Sequence, residues 1–61
     1  MKINEVLKIL KANGWELKRH GKRHDIYYNQ NKPGIQIPIP RHGAKEVPDG
    51  TLKSIMEQAG L

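Results

Sequence analysis

Lys18, Arg19, His20, Gly21, Lys22, Arg23 and His24 run without a carboxylate into Asp25, Ile26, Tyr27 and Tyr28. Six of the first seven are basic or histidine, and the four that follow turn strand-prone. A hairpin accounts for both halves: a basic tip that would attract phosphate, opening into a second strand. The preceding residues Trp15, Glu16 and Leu17 alternate as a half-buried strand does. Asn29 to Gly34 is polar and turn-rich, and Ile35, Ile37 and Ile39 then alternate with Gln36, Pro38 and Pro40. That third strand has to be an edge, because Pro38 and Pro40 carry no backbone donor for a further neighbour.

Helical spacing brackets the strands. Ile3, Val6, Leu7 and Leu10 recur at i, i+3, i+4 and i+7, which predicts a first helix over Asn4–Asn13 with Asn4 as N-cap and Gly14 as its stop. Leu52, Ile55, Met56 and Ala59 repeat the pattern, so a second helix is expected from Pro48 to Ala59, ended by Gly60. The order is αβββα, an α+β arrangement with a three-stranded antiparallel sheet and both helices on one face. Alternation places Ile26 and Tyr28 in the core, Tyr28 opposite Ile35 and Ile26 opposite Ile37, with Leu17 and Trp15 on their other side. Continued past Pro40, this register brings Arg41 and His42 beside Lys22 and Arg23.

Sixty-one residues suffice for one small domain, residues 1–61, with no room for a second core. The chain has no cysteine, so packing alone must hold it and a thiolate metal site is excluded. Charged residues interrupt the apolar ones from Met1 to Gly14, which is unlike a secretory signal and fits a cytoplasmic, membrane-free protein. Eleven Lys and Arg against six Asp and Glu leave +5, the balance of a protein with a polyanionic partner. Residues 14–32 hold five of those cations against two carboxylates, whereas residues 47–61 hold one against two. Nucleic acid is therefore expected at the hairpin rather than along the second helix.

Lys18, Arg19, Lys22, Arg23, Arg41 and His42 are the candidate phosphate-binding residues. Trp15 is assigned to the core rather than to base stacking, and Lys8 and Lys11 to solvent. The histidines lack the spacing of known zinc motifs, so neither metal nor cofactor is expected. His20, flanked by cations at the tip, reads as a solvent or phosphate contact. His24 begins the middle strand near Lys22, Arg23 and Arg41, and positive neighbours disfavour a charged imidazole, leaving it free to accept a proton. RNA brings its own nucleophile, the ribose 2′-hydroxyl, so one base amid phosphate-binding cations would suffice to cleave it.

The chain resembles the HicA-type toxins, small mRNA-cleaving proteins of prokaryotic toxin–antitoxin pairs. The likeness rests on Gly14 and Trp15, on His24 and Tyr27 in an H-x-x-Y arrangement, and on Pro40 and His42 in a P-x-H segment. Gly50, Thr51 and Leu52, leading through Ile55 to Ala59, Gly60 and Leu61, extend it to nearly the whole chain. The resemblance implies a double-stranded-RNA-binding-like αβββα fold, a metal-independent endoribonuclease and a HicB-type antitoxin that covers the active site. It carries the catalytic role to His24. Lys22 and Arg23 stand where the family has Gly and then Ser or Thr, with Gly21 one place further back. Two competing readings are a non-catalytic RNA-binding module of the same fold and a domain whose charge only grips an acidic antitoxin.

Overall fold

The computed structural model describes residues 1–41 and 43–61. The expected P-x-H histidine, His42, lies outside the described residues. The elements are α1 (Ile3–Ala12), β1 (Trp15–His20), β2 (His24–Asn29), β3 (Gln36–Pro40) and α2 (Asp49–Ala59). The strands form one antiparallel sheet in the order β1-β2-β3. This is the αβββα order read from the sequence.

Ile3, Val6 and Leu10 of α1 and Ile55 and Ala59 of α2 are buried in one cluster with Trp15, Tyr27, Ile37, Ile39 and Val47. Because the buried strand residues all lie on one side of the sheet, both helices cover that side. No helix among the described residues is long and apolar enough to cross a membrane.

The N-cap of α1 is Lys2, not Asn4. The loop before α2 supplies what a capping side chain would: Ile3 and Asn4 donate their backbone N–H groups to the carbonyls of Lys45 and Gly43, at 3.1 and 3.0 Å. Glu5 accepts the Lys2 N–H at 2.9 Å. The unpaired donors of a helix start are thus satisfied by a segment some forty residues away in the chain. At the other end, Gly14 makes the turn into β1 at φ +91°, a conformation that side chains disfavour.

The core face of β2 is the reverse of the one the alternation predicts. Tyr27 opposes Ile37 and Leu17, while Tyr28 opposes Gln36 and Ile26 opposes Pro38. Tyr27 is buried, Ile26 and Tyr28 are only half-buried, and Leu17 and Ile35 are exposed at 42% and 39%. A one-residue shift exchanges the two faces of a strand. The polar residues that accompany Tyr27 on the inner face are satisfied there. The buried Asn29 amide donates to the Asn13 carbonyl at 3.0 Å and accepts the Asn31 N–H at 2.9 Å, and Asp25 is ion-paired at the sheet end.

β1 is longer than Trp15–Leu17. It continues through Lys18, Arg19 and His20, with an irregularity between Leu17 and Arg19 that leaves Lys18 unpaired. The hairpin tip is therefore only Gly21, Lys22 and Arg23. β3 is an edge strand as expected. Pro38 and Pro40 cannot donate, so the hydrogen-bonded pairs with β2 belong to Ile37 and Ile39, and the backbone of Gln36, Pro38 and Pro40 points to the free side.

Candidate functional site

His24 opens β2 opposite Pro40, on the sheet face turned away from the core, and is exposed. Gly21 fixes its backbone: the Gly21 N–H donates to the His24 carbonyl at 2.8 Å. A Cβ on Gly21 would stand 2.7 Å from that oxygen, closer than real side chains come. The glycine is thus required where this sequence has it, one place before the basic pair Lys22 and Arg23.

Lys22 and Arg23 are exposed at the tip, and neither makes a salt bridge or a side-chain hydrogen bond among the described residues. Arg19 opposes Ile26, two residues from His24 on the same strand face, so its guanidinium belongs to the outer surface that His24 shares. Lys18 is directed elsewhere. It lines a separate hollow with Tyr28, Lys32 and Gln36 near the β2–β3 turn, and Tyr28 lies four residues along β2 from His24, about 13 Å.

Arg41 reaches the hairpin, but its charge is already engaged. Its Nε donates to Asp25 Oδ1 at 2.9 Å, and its Nη2 donates to the Gly21 carbonyl. His20 Nδ1 shares the same Asp25 oxygen at 2.7 Å. The hydrogen bond from His20, seconded by Arg41, holds the Asp25 carboxyl below its ordinary value although partial burial pushes the other way. Arg41 and His20 therefore fasten the start of β2 to β1 and to the end of β3.

Asp25 carried no assigned role on sequence grounds. The signal was present, since it is the only carboxylate between Glu16 and Glu46, in the most basic part of the chain. Tyr27, the second member of H-x-x-Y, points into the core on the opposite face from His24. Its hydroxyl is pushed up in pKa, first by burial and then by the Asp25 charge. Of that pair only His24 is exposed.

A groove of about 450 Å³ adjoins His24 and is walled by Pro38 and Pro40 on one side and by Thr51, Ser54 and Gln58 of α2 on the other. A second hollow continues from His24 and Pro40 toward Lys45, Val47 and Thr51. His24 thus lines two depressions that share Pro40 and Thr51, with the cations Lys22 and Arg23 at the adjoining tip. No three His, Asp or Glu side chains among the described residues converge as metal ligands would.

The model of a family described as the HicA toxin of bacterial toxin–antitoxin systems matches residues 3–61. The chain is 36% identical over 61 residues to the probable mRNA interferase HicA 2 of Photorhabdus laumondii subsp. laumondii, an alignment spanning 100% of this chain and 98% of that protein. It is 41% identical over 61 residues to the probable mRNA interferase HicA of Pseudomonas fluorescens, spanning 100% of this chain and 97% of the relative.

Proposed function

The chain belongs to the HicA toxin family, and from that premise we propose that residues 1–61 act as one ribonuclease domain, the toxin of a toxin–antitoxin pair, which cleaves mRNA without a metal ion. The observation that carries this reading is the exposed His24 lining a groove, beside a hairpin tip whose Lys22 and Arg23 have no protein counter-charge among the described residues.

RNA threads past the tip with its backbone against Lys22, Arg23 and Arg19. His24 takes the proton of a ribose 2′-hydroxyl, the 2′-oxygen attacks the adjacent phosphorus, and the bond from phosphorus to the 5′-oxygen breaks. The products are a 2′,3′-cyclic phosphate and a 5′-hydroxyl, the latter receiving a proton from water or from the imidazolium. General base catalysis of this kind contributes about 10²–10⁴-fold. The tip cations stabilise charge as it grows on the phosphoryl oxygens. Arg41 acts on this chemistry indirectly, by holding Gly21 and Asp25 and hence the start of β2.

A HicB-type antitoxin silences the toxin by covering this face, and the net charge of +5 favours an acidic covering surface. The test is cleavage of single-stranded RNA in EDTA by the wild type and by His24→Ala. Cleavage by the wild type alone, with RNA binding and circular dichroism retained in the variant, is the expected outcome. Undiminished cutting by His24→Ala would remove the histidine from the mechanism. Binding without cutting by the wild type would leave an RNA-binding module.

A further inference from the structure

The groove between β3 and α2 has a composition that phosphate binding does not explain. It adjoins His24, yet no lysine or arginine among the described residues lines it. Its strand wall is the rings of Pro38 and Pro40, an apolar C–H surface. Its helix wall is Thr51, Ser54 and Gln58, a neutral hydrogen-bonding stripe at i, i+3 and i+7 beside the buried stripe of Ile55 and Ala59. The stripe extends about 10 Å along the helix, and about 450 Å³ is within the range of small-ligand sites. Gln58 Nε2 donates to Ser54 Oγ at 3.1 Å, which orients the amide and leaves its oxygen free to accept.

We infer that this groove takes the base of an RNA nucleotide flanking the bond that is cut, and that Gln58 and Ser54 select which base it accepts. The inference rests on the ribonuclease reading above and adds a recognition site to it. The base stacks on the proline rings while its polar edge meets the Gln58–Ser54 pair. The phosphates on either side stay with the cations of the hairpin, so recognition and charge neutralisation fall on opposite flanks of His24. A segment of a protein partner fits less well. Backbone pairing is how an extended peptide gains affinity at a sheet edge, and Pro38 and Pro40 remove two successive donors from the free side of β3.

Incubating an RNA pool of randomised sequence with purified protein and sequencing the fragment ends gives the base preference at each position around the cut. Gln58→Leu and Ser54→Ala, each checked for fold by circular dichroism, are expected to shift the relative use of sites at one flanking position by roughly two- to tenfold, the ratio associated with one neutral hydrogen bond. Cutting should remain dependent on His24 in both backgrounds. If both variants keep the wild-type distribution, the groove does not read the base and the inference falls while the ribonuclease reading stands. If they keep that distribution and lose affinity for the antitoxin, the groove belongs to the protein partner and the inference likewise falls. If the wild type shows no His24-dependent cutting, the ribonuclease reading fails and takes the inference with it.

Discussion

Replacing Lys22 and Arg23 together by alanine, in a His24→Ala background that leaves the RNA whole, separates cations that hold phosphate from a cation that holds the protein. Both side chains are exposed at the tip without a counter-charge among the described residues, so each is available to displace one condensed counterion. For a single-stranded nucleic acid each such contact adds about 0.7 to the slope of log affinity against log salt. Losing two should flatten the slope by roughly 1.4, so a fourfold rise in salt should cost the parent about sevenfold more affinity than the variant. Arg41 makes the opposite case. Its guanidinium is paired with Asp25 at 2.9 Å and bonded to the Gly21 carbonyl, so Arg41→Ala should leave the slope nearly unchanged and loosen the hairpin instead. Fluorescence anisotropy of a labelled single strand across a salt series measures all three slopes. An unaltered slope in the double variant, or an equal loss in Arg41→Ala, would refute the assignment.

Tyr27→Ala empties a buried site at a cost of about 3–5 kcal/mol, comparable to the roughly 3–9 kcal/mol that 61 residues are expected to supply in all. Urea titration should find that variant unfolded or nearly so and Tyr28→Ala folded, and the reverse order would return Tyr28 to the core. Because the folded Asp25 carboxyl lies below its ordinary 3.8, its contribution is complete from about pH 5 upward and is lost as pH falls past 3.8 and through the lower folded value. Asp25→Asn should therefore flatten the acid limb of stability measured by circular dichroism, and an unchanged limb would mean that the pair with His20 and Arg41 contributes nothing. Gly21→Ala brings a Cβ within 2.7 Å of the His24 carbonyl and should slow RNA cleavage by up to about 10²-fold, with the sheet retained. Full activity in that variant would show that the tip tolerates displacement.

The two helices were legible because each buries one stripe, and Ile3, Val6 and Leu10, like Ile55 and Ala59, declare theirs by spacing alone. The edge position of β3 was legible because proline cannot donate whatever surrounds it. The face of β2 was not. Adjacent Tyr27 and Tyr28 leave either parity plausible, and the choice rests on whether Asp25 and Asn29 find partners on the inner side, which no local pattern records. The break in pairing at Lys18 was equally hidden, and it carries one candidate phosphate ligand to the far hollow while Arg19 stays on the face of His24.

By itself the sequence determined the order of elements, the edge strand and the concentration of charge around His24, because residues within one helical turn or one strand encode each of them. Only the tertiary structure decided which cations remain available. Arg41 and Asp25 are 16 residues apart, and a charge that meets its partner across the sheet no longer has the same value to an RNA phosphate. The neutral groove beside His24 has the same origin: Pro38 and Pro40 join Ser54 and Gln58 only when α2 packs along the free edge of β3.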